Sequence, residues 1–257
     1  MNKKRKERER KHTFSQRTSR RVIATSAACA LMIFTAFFEI GCTHDNELAQ
    51  MNMTEKKNSA PVIYVALGDS TGVGVGAQNG GYVAHLFARI KRENASARLD
   101  NLCMSGATSD DVLRDQVRQA ISAQPTLITL CIGINDVGRN VDVERFTRNC
   151  DEIVARLRSE THAAIVLSNI PDVSFAPAIP TQLREPLRAR VSLFNERITG
   201  IAARENLQIV DAYGVTHELL PTHPEFFSAD GFHPSDVGYE FWAKTMWPAV
   251  KKAIEAR

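Results

Sequence analysis

Val62-Ile63-Tyr64-Val65-Ala66-Leu67-Gly68-Asp69-Ser70 is the stretch that decides the fold. Its first six residues form a continuous apolar run, the pattern of a strand buried on both faces of a sheet. The run ends in a small turn with Ser70 at its tip. An apolar strand, a tight turn and a serine is the local arrangement that exposes a hydroxyl for nucleophilic attack. The preceding residues 43–60 are polar and include Glu55-Lys56-Lys57-Asn58-Ser59, so they read as a linker, with the folded domain over 61–257.

Beyond this strand the pattern alternates. Tyr82–Glu93 is expected as a helix and Ala97–Cys103 as a second strand. Ser109-Asp110-Asp111 has the capping side chain and first-turn acids of a helix start, and Val112, Leu113, Val117, Ala120 and Ile121 share one face. Leu127–Ile132 is a third strand. Asp142 caps a helix that carries Phe146, Cys150, Ile153, Val154 and Leu157 at helical spacing. Ala163–Leu167 is a fourth strand, and 170–181 a loop with three prolines. Leu183 to Ile201 is a long amphipathic helix, and Leu207–Val210 a short fifth strand. A His- and Pro-rich loop to about Ser235 precedes a last helix from Asp236, which Pro248 should kink or break. Strands alternating with helices predict an α/β fold, a five-stranded parallel sheet with helices on both faces. Ligands of such sheets sit at the carboxyl ends of the strands. Gly68-Asp69-Ser70, Ser105-Gly106-Ala107-Thr108 and Gly133-Ile134-Asn135-Asp136 follow strands one, two and three, and therefore share that edge.

A serine nucleophile needs a base, and the base needs a partner that fixes its tautomer. Asp230-Gly231-Phe232-His233 offers both three residues apart, with Gly231 and Pro234 suited to a defined turn. The tetrahedral intermediate needs donors aimed at its oxygen. The candidates are the backbone N–H groups of Ser70 and Gly106 and the side-chain amide of Asn135. Asp172 and Asp211 lie near strand ends and could also pair with a histidine. Asp230 is preferred for its spacing to His233. Asp136 reads as a loop brace. His85, His162, His217 and His223 read as surface or loop residues, with His217 and His223 within reach of the site.

These four blocks, in order over nearly all of 61–257, resemble those of the GDSL or SGNH hydrolases. The resemblance implies a flavodoxin-like three-layer fold with strand order 2-1-3-4-5. It also implies hydrolysis of carboxylic esters or thioesters through an acyl-serine, without cofactor or metal. By motif match Ser70 is the nucleophile, His233 the base and Asp230 its partner, with Ser70, Gly106 and Asn135 as oxyanion donors. Thr71 departs from the family's name motif, which has leucine there. Val173–Pro180, Leu219-Leu220-Pro221 and Phe226-Phe227 are apolar and could wall an acyl pocket, which favours short- to medium-chain or lipid esters over acetylated carbohydrate.

Two rival readings of the opening stretch fail on context. The nucleophile elbow of α/β-hydrolases follows several strands, and here none precede Ser70. Gly72, Gly74 and Ala77 match a dinucleotide fingerprint, with Asp100 at a suitable distance. That fingerprint opens a helix directly after its strand, whereas Asn79-Gly80-Gly81 interrupts the helix start here.

The net charge of +3 is uneven. Residues 1–21 hold ten Lys or Arg and two Glu, a charge of +8, so the remainder carries −5. A folded part of that sign gives no reason to expect nucleic-acid binding. The basic start, the uncharged run from Val22 to Phe38 and Ile40-Gly41-Cys42 read as an export signal or membrane anchor over 1–42. Ser19-Arg20-Arg21-Val22-Ile23 resembles a twin-arginine signal. Ile40-Gly41-Cys42 resembles the end of a bacterial lipoprotein box, which makes Cys42 a candidate for lipidation, although Glu39 replaces an aliphatic residue. Either form predicts an exported, membrane-tethered domain. Cys103, Cys131 and Cys150 fall in apolar patterns and read as buried small hydrophobes.

Overall fold

The computed structural model describes residues 60–256. The expected signal or anchor over 1–42, with Cys42, and all but the last residue of the 43–60 linker lie outside the described residues.

Five strands form one sheet in the order β2-β1-β3-β4-β5. They are β1 (Ile63–Gly68), β2 (Arg98–Asn101), β3 (Leu127–Cys131), β4 (Ala164–Ser168) and β5 (Gln208–Val210), and every pairing is parallel. The parallel direction is the one the alternation of strands and helices predicts, and the order is the one the family resemblance implies. The central strands are buried on both faces because each alternate side chain meets a helix layer. Val65 and Leu67 of β1 join Ile128 and Leu130 of β3 under one layer, which is anchored by Phe146, Ile153 and Phe194. Tyr64 and Ala66 point the other way, to Tyr82, Leu86, Tyr239 and Met246.

The helices are α1 (Ser70–Val73), α2 (Tyr82–Glu93), α3 (Ser109–Asp111), α4 (Val117–Ser122), α5 (Ile134–Gly138), α6 (Val143–Glu160), α7 (Thr181–Arg204), α8 (Ala212–Leu219) and α9 (Asp236–Glu255). A π-turn, Val112–Gln116, joins α3 to α4. Its wider winding turns Gln116 inward, where the side chain is fully buried. Gln116 Nε2 donates to the Gly68 carbonyl and its Oε1 accepts from the Gly68 N–H, each at 2.9 Å. That reciprocal pair satisfies the backbone at the end of β1, where the strand gives way to the turn before Ser70.

Three local expectations need correction. The second strand ends at Asn101, because β2 is an edge strand and the chain beyond it follows β1 only through Leu102 and Met104 before turning. The segment before Ser235 is not a plain loop. Asp211 caps α8 by accepting from the Gly214 N–H at 2.9 Å, and two short 3-10 turns follow. Finally, α9 continues past Pro248 rather than breaking there. A proline inside a helix costs ~3 kcal/mol, but Met246, Val250 and Ala253 on both sides of it are buried against the sheet and α2. That packing holds the helix together.

Candidate active site

The turn after β1, the loop before α9 and the two loops after β2 and β3 meet at the carboxyl edge of the sheet. Asp69 caps α1, its Oδ1 accepting from the Thr71 N–H at 3.0 Å and from the Thr71 hydroxyl at 2.8 Å. This fixes Ser70 as the first helical residue and leaves its hydroxyl pointing away from the strand. The Ser70 Oγ lies 3.0 Å from His233 Nε2, across 163 positions of sequence. His233 Nδ1 lies 2.7 Å from Asp230 Oδ2. An ionised carboxylate can only accept, so Nδ1 carries the proton and Nε2 is the acceptor for the Ser70 hydroxyl. The Asp230 loop is self-bracing. Its Oδ1 accepts from the backbone N–H of Phe232 and of His233 and from the Ser228 hydroxyl, at 2.8 to 2.9 Å. Burial alone would raise the Asp230 carboxyl, but these donors and the His233 ring together hold it well below the usual carboxylate range. The pair therefore keeps an anion next to the imidazole ring.

Asp69 behaves in the opposite way. It is 2% exposed, and burial pushes its carboxyl up to about 6 despite the two donors from Thr71 and the opposing charge of His233. Thr71 is the departure from the name motif, and its hydroxyl supplies one of those two donors.

Gly106 follows β2 with φ +78°, which only glycine adopts without strain. The N–H groups of Ser70 and Gly106 make no hydrogen bond within the described residues. Asn135 sits in α5, and its Nδ2 spends one hydrogen on the Ala107 carbonyl at 2.9 Å, leaving the second available. Ser70, Gly106 and Asn135 all line the same cavity as His233. Next to Asn135, Asp136 accepts from the Ser109 N–H and hydroxyl (3.0 and 2.6 Å) and so ties α5 to α3. Burial raises its carboxyl against those donors.

The cavity holds about 270 Å³ and extends from Ser70 between α8, α9 and the loop after β4. Val173, Leu220, Phe226 and Phe227 line it, as the sequence suggests. The rest of 174–180, together with Leu219 and Pro221, does not reach it. Ile170, Pro171, Val215, Phe241 and Trp242 complete the apolar wall. Trp242 also stacks on Tyr82 with ring centroids 5.5 Å apart.

The remaining candidates separate. Asp211 pairs with no histidine among the described residues; besides capping α8 it accepts from Asn169 Nδ2 at 2.8 Å. Asp172 does pair with one, His217 Nδ1 at 2.7 Å, and also faces Arg188. That second Asp–His pair braces the loop after β4 against α8 and α7, and neither residue lines the cavity. His223 is partly exposed and bonds Glu225. His85 is not a loop residue; it lies in α2, partly buried, with its Nε2 enclosed and unpartnered. The glycine-rich stretch opens no nucleotide-binding helix. The N–H groups of Gln78 and Asn79 are taken by the Asp236 carboxylate, at 3.1 and 2.7 Å. Among the described residues no cluster of His, Cys, Asp and Glu could hold a metal ion.

The sequence model of the GDSL-like lipase/acylhydrolase family matches residues 66–241, which contain Ser70, Gly106, Asn135, Asp230 and His233. The chain belongs to this family. A GDSL-like esterase of Mycobacterium tuberculosis (Rv1075c) is 30% identical over 73% of this chain, which spans 61% of that relative's length. An acetylxylan esterase of Geobacillus stearothermophilus is 28% identical over 66% of this chain and 80% of its own length. Among solved structures, a lipase/acylhydrolase from Enterococcus faecalis superposes with a TM-score of 0.61 at 24% identity, covering 74% of this chain and 96% of that one. At that identity the structural likeness speaks for the GDSL fold alone.

Proposed function

We propose that this GDSL-family chain hydrolyses carboxylic esters through an acyl-Ser70 intermediate. The observation that carries the reading is His233, bonded to Asp230 on one nitrogen and to Ser70 on the other. In this scheme His233 Nε2 takes the Ser70 proton as Oγ attacks the ester carbonyl. The resulting imidazolium is stabilised by Asp230. The carbonyl oxygen becomes an oxyanion that accepts from the N–H groups of Ser70 and Gly106 and from Asn135 Nδ2. His233 then gives its proton to the departing alkoxide. Water activated by the same nitrogen cleaves the acyl-serine. The test is labelling with a fluorophosphonate, which traps nucleophilic serines. We expect labelling at Ser70 that is lost in Ser70→Ala and His233→Ala. A folded protein with neither labelling nor activity on p-nitrophenyl butyrate refutes the reading.

For the acyl group we favour short to medium chains, lipid esters included. The apolar cavity beside Ser70 is far larger than an acetyl group and only slightly smaller than the range of about 300–1,000 Å³ common for ligand pockets. Deacetylation of a carbohydrate is the second reading, favoured by the acetylxylan esterase among the relatives. A chain-length series of nitrophenyl esters separates them: a sharp preference for acetate overturns the first. We further propose that the domain is exported and tethered by residues 1–42, on the strength of the basic start, the uncharged run and Cys42. Membrane fractionation of the full chain and of Cys42→Ala tests this. Protein found wholly in the soluble cytoplasmic fraction refutes it.

A further inference from the structure

The oxyanion donor of Gly106 hangs on a turn that could point either way. Met104-Ser105-Gly106-Ala107 is closed by the Ala107 N–H donating to the Met104 carbonyl at 3.0 Å. With φ +78° at its third residue, the turn is of type II. Types I and II differ by rotation of the central peptide, here Ser105–Gly106. In the alternative form the Ser105 carbonyl would replace the Gly106 N–H as the group facing the cavity, and an acceptor there would repel an oxyanion. Gly106 has no side chain to restrict it, so the restraint must come from outside the turn.

Two side chains supply it, one from α5 and one from the residue that caps its end. Asn135 Nδ2 donates to the Ala107 carbonyl. Arg139, the residue that ends α5, donates from Nη2 to the Gly106 carbonyl at 2.8 Å. Its own N–H bonds the Asn135 carbonyl at 2.9 Å, so the two restraints share one rigid turn of backbone. A β-carbon added to Gly106 would lie 3.2 Å from the same Nη2, which places the guanidinium over the glycine as a cover. Arg139 is exposed and is in no ion pair among the described residues. A solvated surface arginine has no need to reach 33 positions back to a single carbonyl.

We propose that Arg139 is a positioning residue of the oxyanion hole: by holding the Gly106 carbonyl it keeps the Gly106 N–H aimed at the tetrahedral oxygen. The proposal rests on the acyl-Ser70 reading. The bond fixes the peptide that follows Gly106, and through it the torsions of a residue that is otherwise unrestrained. It is a charge-assisted bond, stronger than one between neutral groups. Its positive charge also has no carboxylate partner among the described residues to cancel its field at the hole.

The experiment compares Arg139→Ala, Arg139→Lys and Arg139→Gln in the full chain, with p-nitrophenyl butyrate as substrate. A complete oxyanion donor is worth about a hundred- to a thousandfold in rate; misaiming one should cost part of that, about tenfold in kcat, with KM little changed. An alkylboronic acid, which forms a tetrahedral adduct on serine, should bind more weakly by a similar factor. Inhibition by the product butyrate should be unchanged. Arg139→Lys, which keeps a charged donor, should recover part of the loss, and Arg139→Gln less. Unfolding midpoints equal to wild type are expected in all three. Unchanged kcat, or unchanged boronate affinity in the presence of a kcat loss, overturns the proposal. So does a loss confined to KM, which would make Arg139 a substrate-binding group. Hydrolysis that survives Ser70→Ala refutes the acyl-serine reading itself, and that control is independent of the Arg139 series.

Discussion

Replacing Asp69 with asparagine should raise stability relative to wild type progressively as pH rises from 4 to 8. Asp69 is buried beneath the turn that carries Ser70, and its carboxyl is raised from 3.8 to about 6. A shift of roughly two units corresponds to ~3 kcal/mol of preference for the neutral form in the folded state. The sign follows from linkage. Below about pH 4 the carboxyl is neutral in both states and carries no penalty. Between about 4 and 6 the unfolded chain loses its proton while the folded one keeps it, so stability falls as pH rises. Above 6 both are ionised and the full ~3 kcal/mol weighs against folding. The substituted asparagine keeps an oxygen to accept from the Thr71 N–H and hydroxyl but has no charge. Its new amide hydrogens could add a constant cost of about 1–3 kcal/mol if they find no acceptor. The readout is therefore the change in the mutant–wild-type difference between pH 4 and pH 8, measured by urea unfolding at both. We expect that difference to move in favour of Asp69→Asn by up to ~3 kcal/mol. A difference that stays flat across the interval, or moves the other way, refutes the argument.

Asn135→Ala should lower kcat on p-nitrophenyl butyrate by about a hundred- to a thousandfold, with little change in KM, because the amide acts on charge that develops only in the transition state. Asp230→Asn should lower kcat by up to about 10⁴-fold, since an amide can hold His233 in the wrong tautomer; steady-state kinetics and an unchanged circular dichroism spectrum check this. The depressed Asp230 carboxyl stabilises the fold above the ordinary carboxylate range and is lost only in strong acid. Wild-type unfolding scanned below pH 4 should accordingly show a falling limb that Asp230→Asn flattens. Gln116→Leu strands the Gly68 N–H, while the Gly68 carbonyl keeps the Met104 N–H at 3.1 Å, for a loss of about 1–3 kcal/mol in chemical unfolding.

The sequence carried the sheet and the positions of the site. Continuous apolar runs mark strands buried on both faces, because burial is what selects such runs. The small polar clusters after the first three runs fall on one edge because parallel strands present their carboxyl ends together. The spacing of Asp230 and His233 is a local property, and a three-residue turn brings their side chains to 2.7 Å. Period and turn chemistry say less about α8. Its apolar positions are few and its cap, Asp211, does not reveal its role until Asn169 and Gly214 bond to it. Pro248 misleads for a related reason: a local steric rule is outweighed by burial that only the assembled layers provide.

What tertiary structure alone decided is how the site is held and aimed. Gln116 reads as a polar residue inside an amphipathic helix until a π-turn delivers it to the end of β1. Asp172, His217 and Arg188 belong to different elements, so nothing in their spacing distinguishes that brace from a second catalytic pair. Arg139 looks like any surface arginine, and its role depends on one carbonyl 33 residues away. Chain order was enough to put Ser70, Gly106 and Asn135 at one edge, because strand ends are encoded locally, and spacing was enough to pair Asp230 with His233. Whether Ser70 and His233 come within 3.0 Å, and whether a donor faces the oxygen between them, depends on non-local packing and on hydrogen bonds between distant segments.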